Sequence, residues 1–314
     1  MQIQNFIRLI GGELQNNPLI NSFENIIVDV KKISRGDIFI SNNKDEIKIA
    51  LENGAYGVVY EGDLEILDDE VAWIKVNATD KSLIRFLRFF LEKKEISIYY
   101  LTNVEFEILK SILNNKSEMI FLDDVKSNFY NIIQNKNSFI FSNDKSLLES
   151  IYPEYKIFEK SEGLNITNSS LFKTSLIYQD DFFQKLKLAK FHIKILEKII
   201  YFCNNFKLDI NLKKINFTSS FYPFFIDKNL NELHFGESSK VLIFDRYENS
   251  LDNNLKFLQS ISKWAKIKLF KPRNFEELKK LVQDDFNYAL VYGDYKEFKT
   301  YQNSIKISSG AGLW

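Results

Sequence analysis

The sequence predicts an α/β protein made of several small layered domains. Three observations carry that prediction. Short apolar runs bounded by turn residues recur along the chain, amphipathic stretches of helical period separate them, and 314 residues is enough for two or three separate cores. Runs rich in β-branched and aromatic residues, such as AWIKV at 72–76, KVLIF at 240–244 and YALVY at 288–292, read as strands. Their alternation with helices points to parallel sheets.

The elements follow in order. Met1-Gln2-Ile3-Gln4-Asn5-Phe6 lacks the basic start and continuous apolar stretch of a signal peptide, and reads as the first helix of a folded domain. A helix over 45–53 places Ile47, Ala50 and Leu51 on one side and stops at Gly54. Strands over 56–60 and 72–76 flank the turn Glu61-Gly62-Asp63, and Thr79-Asp80 can cap a helix over 81–92 whose end Lys93-Lys94 suits the dipole. In that helix the run LIRFLRFFL is short and carries two arginines, so a core-facing role is favoured over membrane attachment.

Beyond it, strands over 96–101, 119–122 and 139–141 alternate with helical stretches over 105–113, 129–134 and 145–151, and a longer amphipathic helix spans 187–204. The last zone has the clearest rhythm. Strands over 240–244, 266–270 and 288–292 alternate with helices over 251–264 and 275–282, a small Rossmann-like pattern to which 304–307 adds a further strand.

Composition narrows the function classes. Hydrophobic content of 45% with 27% charged residues is that of a chain that folds. Basic and acidic residues balance at 42 each, so no global field favours nucleic acid or an acidic membrane. No run of roughly 20 uncharged apolar residues occurs, which speaks against membrane insertion. Cys203 is the single cysteine, which excludes a disulfide framework or a cysteine-rich zinc site and fits a reducing cytoplasm. The acidic pairs Asp123-Asp124, Asp180-Asp181 and Asp284-Asp285 read as solvated turns rather than metal ligands, and His192 and His234 announce no nucleophile–base pair. Neither GESS at 236–239 nor SSGAG at 308–312 stands between a strand and a helix with a lysine, so both are poor phosphate loops. The aromatic cluster at 221–225 is mostly core material, yet it is the best candidate for a docking surface.

One set of residues resembles a known family. Asp29-Val30-Lys31, then Arg35-Gly36-Asp37-Ile38-Phe39-Ile40, then Ala50 to Gly54-Ala55 and Val58-Val59, resemble the N-terminal domain of the Mur ligases. These enzymes add amino acids to UDP-muramoyl precursors of peptidoglycan. Their motif there is Asp-Ser-Arg, Pro-Gly-Asp-φ-Phe-φ and a Gly-Ala step, φ being apolar. Their second domain opens with a glycine-rich phosphate loop. At that place stand Ile98, Leu101, Thr102, Asn103, Val104, Glu105 and Phe106, of which only Thr102-Asn103 matches. Glycines let backbone N–H groups converge on phosphate, a lysine neutralises it and a hydroxyl holds the metal. Val104 resists positive φ, Glu105 stands at the lysine position and Phe106 at the hydroxyl position. Leu242 to Asn253, with Asp245 and Tyr247, is similar to the start of the family's C-terminal domain in its D-alanyl-D-alanine-adding branch. The Gly-Arg-φ-Glu segment expected upstream is replaced by residues 222–227.

The resemblance implies a Mur-ligase-like division: an N-terminal α/β domain over 1–80, a shortened central α/β domain over 81–235 and a Rossmann-like C-terminal domain over 236–314. It implies a vestigial nucleotide loop at Thr102–Phe106, a UDP-sugar contact at Asp29 and Lys31 or mere capping of a strand and turn there, and an interdomain cleft near Asp245 and Tyr247. Neither cofactor nor metal is expected. The function implied is a non-catalytic pseudoenzyme that binds or scaffolds in peptidoglycan precursor synthesis or cell-wall assembly, with a UDP-muramoyl precursor or cell-wall synthesis proteins as partners. The alternative is a divergent ATP-dependent amide-bond-forming ligase with a non-standard nucleotide site, and an unrelated α/β protein is the third.

Overall fold

The computed structural model describes residues 1–134 and 138–310. Compactness divides the chain into two units, Met1–Leu101 with Lys116–Ile157, and Thr102–Asn115 with the chain from Phe158 onward.

The first unit opens with α1 (Ile3–Ile10), β1 (Glu13–Leu14), β2 (Ile26–Ile27), β3 (Ile38–Ile40), α2 (Lys44–Glu52), β4 (Gly57–Glu61), β5 (Ala72–Val76) and α3 (Thr79–Leu91). Its strands form one sheet in the order β1-β5-β4-β3-β2, parallel except for β1. After β6 (Ser97–Tyr100) the chain leaves for α4 (Asn103–Ile112) and returns as β7 (Met119–Phe121), α5 (Val125–Gln134), β8 (Phe139–Ser142) and α6 (Lys145–Ile151). This second sheet is parallel, in the order β6-β8-β7, as the apolar rhythm predicts.

Both sheets share a core. The apolar stripe of α3, Leu83, Phe86, Leu87 and Leu91, is buried with Phe6, Ile74, Ile98, Phe129 and Ile140. The run LIRFLRFFL therefore faces protein, and among the described residues no helix is long and apolar enough to cross a membrane. The capping expectation needs correction: α3 starts at Thr79, after Ala78, which makes no side-chain cap bond. Lys94 meets another helix, its ammonium donating to the carbonyls of Ile132 and Ile133 at 3.1 and 3.2 Å at the end of α5.

The N-terminal motif residues have structural work. Gly36 has φ 99, a left-handed conformation that side chains resist. The buried Asp37 carboxylate accepts from the Asn25 backbone N–H and side-chain amide at 3.2 and 2.9 Å, and from the Ser34 N–H at 3.0 Å. It thereby ties the strand before the turn to the turn itself. Gly54, at φ 84, ends α2, and Ala50 and Ala55 pack without exposure against Phe39, Val58 and Trp73.

The second unit continues from α4 with β9 (Asn165–Ser169), β10 (Thr174–Tyr178), β11 (Asp181–Leu186), α7 (Ile193–Asn205), β12 (Tyr222–Phe225), β13 (Val241–Asp245), α8 (Glu248–Ile261), β14 (Ile267–Phe270), α9 (Leu278–Leu281), β15 (Tyr288–Tyr292) and α10 (Tyr295–Gly310). The antiparallel sheet β11-β10-β9 has no counterpart in the sequence prediction; β9 is polar but for Ile166, and the apolar residues of β10 and β11 do not alternate with polar ones. Its tight turn puts Gln179 and Asp180 at φ 50 and 65, which assigns the Asp180-Asp181 pair to a hairpin. The helix expected from 187 starts only at Ile193, after a 3-10 turn at Lys190–His192.

The other sheet runs β12-β13-β15-β14, with β13, β14 and β15 parallel and β12 antiparallel at the edge, where Pro223 is tolerated. Phe244, Ala289 and Val291 face α9 and α10 on one side, while Val241, Ile243 and Leu290 face Leu251 and Leu258 of α8 on the other. Residues 304–307 belong to α10 rather than to a strand, since Phe298 and Gln302, one helical turn apart, are both buried. The tail SSGAG falls partly outside the described residues.

Candidate functional site

The polar groups singled out by sequence gather at the start of α4 and at the carboxyl end of β13. Thr102 is the N-cap of α4. Its hydroxyl accepts from the Glu105 N–H at 3.4 Å, while Glu105 Oε2 accepts from the Thr102 N–H and hydroxyl, each at 2.9 Å. This reciprocal capping box satisfies donors that a helix start otherwise offers to an anion. Glu105 is buried, so a carboxylate of the chain itself occupies the electropositive helix end. Phe106 is buried too, and Val104 and Asn103 are half-buried.

Two residues further on, Glu107 reaches the loops of the β12-β15 sheet. Its carboxylate accepts from the Ser219 N–H at 2.7 Å and from the Tyr247 hydroxyl at 3.2 Å. Burial, and then the Glu107 charge, push the Tyr247 phenol up to about 12. Glu107 joins Tyr247 to the start of α4, a role that a single glutamate in a helical stretch does not announce.

Asp245, the last residue of β13, is fully buried. It accepts from the Tyr247 N–H at 2.9 Å, from the Ser250 hydroxyl at 2.8 and 2.7 Å on its two oxygens, and from the Asn254 amide at 2.7 Å. Asn254 also donates to the Ser220 carbonyl at 2.7 Å. Burial pushes the Asp245 carboxyl up to about 6 despite these donors. Beside it Arg246 pairs with Asp294 at 3.3 Å. Asp245 thus organises the turn from β13 into α8, and Tyr247 carries the link to α4. Their spacing was legible in sequence; Ser250 and Asn254, one and two turns into α8, were not.

In the first unit Asp29 caps a short 3-10 turn, Val30–Lys32, accepting from the Lys31 N–H at 3.1 Å. The Lys31 side chain is exposed.

The remaining candidates have structural surroundings. Asp284 and Asp285 pair with Lys268 and Lys266, and Asp124 accepts from the Ser127 N–H at 2.8 Å in the first turn of α5. Among the described residues no group of acidic, His or Cys side chains forms a metal site. Burial lowers His192 to about 3, which keeps it neutral against Phe191 and Phe221, and raises the Cys203 thiol to about 12. The docking expectation for 221–225 needs correction: Phe221 and Phe224 are fully buried, because an edge strand packed on both faces turns alternate residues into two cores.

No family model matches the chain, and no curated protein matches it. Among solved structures it is similar over most of its length to Mur ligases. MurF from Acinetobacter baumannii has 12% identity and a TM-score of 0.46, covering 86% of this chain and 78% of that one. A UDP-N-acetylmuramoylalanyl-D-glutamyl-2,6-diaminopimelate–D-alanyl-D-alanyl ligase from the same organism has 10% identity and a TM-score of 0.47, covering 98% of both chains. MurF ligase from Thermotoga maritima in complex with ADP has 12% identity and a TM-score of 0.43, covering 85% of this chain and 84% of that one. At these identities and scores the likeness assigns no ligand and no residue role.

Proposed function

We propose that this chain is a non-catalytic, Mur-ligase-like protein that binds or scaffolds in peptidoglycan precursor synthesis or cell-wall assembly. One observation carries the non-catalytic part: the Glu105 carboxylate closes the start of α4 through the capping box with Thr102. A nucleotide phosphate brought to that helix end meets the Glu105 carboxylate, and the N–H groups of Thr102 and Glu105 are already engaged. No glycine stands between residues 98 and 106 to let the backbone approach an anion. The link to the peptidoglycan pathway rests on the motif order at 29–59, 98–106 and 242–253. A UDP-muramoyl precursor, met near Asp29 and Lys31, is the ligand this reading expects.

The test is calorimetric titration of the full chain with Mg-ATP and, separately, with UDP-N-acetylmuramic acid. Binding of the UDP-sugar without binding of ATP at the α4 start supports the proposal. Micromolar ATP binding that is abolished by substitutions at residues 102–106 overturns it and makes the divergent ligase the account to pursue.

A further inference from the structure

A second polar feature of the second unit lies apart from these residues. The end of β11 and the 3-10 turn Leu212–Lys214 border an open concavity of about 410 Å³, lined by Lys185, Lys187, Lys213 and Lys214 with Gln184 and Asn216, over Leu186 and Ile215. Its size lies within the range of ligand pockets.

Some lysines of the second unit are neutralised by carboxylates. In the same unit Lys266, Lys268, Lys271 and Lys299 each pair with a carboxylate, and the whole sequence balances 42 basic against 42 acidic residues. In the concavity, among the described residues, none of the four ammonium groups pairs with a carboxylate and no acidic residue lines the wall. Lys214 donates to the Asn114 side-chain carbonyl at 2.7 Å, and Asn114 in turn donates to Asp209 at 3.0 Å, so the acid reached by hydrogen bonds stands one residue removed. Lys173 registers the same field: burial first, and then Lys185 and Lys187, lower its affinity for a proton. Lys185 itself is held at φ 52, its N–H donating to the Ser175 hydroxyl at 2.9 Å where the β10-β11 register shifts. A left-handed lysine is a conformation that the surrounding structure must impose.

We propose that this concavity binds a phosphate-bearing anion, and best one with two linked phosphates. Four uncompensated point charges match the three to four negative charges, roughly, of a diphosphate group, whereas a single carboxylate would leave most of them unanswered. Lysine ammonium groups and side-chain amides are donors without a fixed planar fork, which suits the tetrahedral oxygens of phosphate better than a flat carboxylate. The spacing of two between Lys185 and Lys187, and the adjacent Lys213-Lys214, were present in sequence, but only the fold brings the two pairs together.

The experiment is calorimetric titration of the full chain with sodium pyrophosphate, in low salt and at about 0.15 M salt, where exposed charges are screened within roughly 8 Å. In parallel, sedimentation is measured with phosphatidylglycerol and with phosphatidylcholine vesicles. The Lys187→Gln/Lys213→Gln variant is compared with Lys263→Gln, an exposed lysine outside the concavity. Pyrophosphate binding that weakens at least about fivefold in the double variant alone establishes a soluble phosphorylated ligand. Binding only to phosphatidylglycerol vesicles, lost in the same variant, places the phosphate in a lipid headgroup. Binding of neither probe, or equal binding by both variants, overturns the site. The outcome separates from the nucleotide question: ATP or UDP-sugar heat lost in the lysine variant belongs to this concavity, and heat that survives it belongs elsewhere.

Discussion

Replacing Glu105 tests whether its carboxylate holds the start of α4. Glu105→Ala removes the acceptor of two bonds of 2.9 Å, from the N–H and the hydroxyl of Thr102. Thr102 is exposed, so water can recover part of each bond, leaving about 1 kcal/mol apiece. Loss of a negative charge at a helix N-terminus adds about 0.5 kcal/mol, for a total of about 2–3 kcal/mol. Glu105→Gln keeps one neutral acceptor and should cost about half as much. Because the chain divides into two compact units, the readout is amide hydrogen exchange in α4 rather than a single global transition. Protection at the amides of residues 106–109 is expected to fall by about 30- to 150-fold in the alanine variant, at about 1.4 kcal/mol per tenfold. A change below about threefold would mean that the carboxylate does not hold the helix start, and the closed-loop reasoning would fail with it.

Three further outcomes are expected. The Asp245 carboxyl, raised to about 6 from an ordinary 3.8, favours the folded state when protonated, so its contribution is complete below pH 4 and is lost as pH rises through 6. The loss is on the order of 3 kcal/mol, so the wild-type urea midpoint should fall between pH 4 and 7, and Asp245→Asn should flatten that difference. Gly36→Ala places a Cβ in the left-handed region, 3.3 Å from the Glu24 side chain, and should cost about 1–2 kcal/mol by denaturant titration of the first unit. Cys203, buried with its thiol pushed up to about 12, should resist alkylation in the native protein and react at once in denaturant; rapid native labelling would contradict that burial.

Much of the architecture was legible because it rests on local chemistry. The strands at 72–76 and 288–292 match their apolar runs residue for residue, and α2 stops before Gly54 because a positive φ there suits glycine. The β9-β11 sheet is not legible in the sequence because β9 is polar and β10 and β11 do not alternate, with Ile177 and Phe182 turned to solvent. The start of α8 was placed late for a related reason: Glu248, Asn249 and Ser250 have no apolar period, and the helix begins there because Asp245 and its donors set the turn. Helix α10 was misjudged over 304–307, where a short β-branched stretch outweighed a burial pattern set by Phe298 and Gln302 upstream.

By itself the sequence determined an α/β chain of alternating strands and helices, the helix stop at Gly54, and the absence of glycines at residues 98–106, because each of these depends on neighbours within a few positions. Only the tertiary structure decided that Glu107 joins Ser219 and Tyr247 across more than a hundred residues, and that Lys185 and Lys187 meet Lys213 and Lys214. Such contacts follow from how packed elements bring distant segments together, and the spacing of residues along a chain carries no record of that.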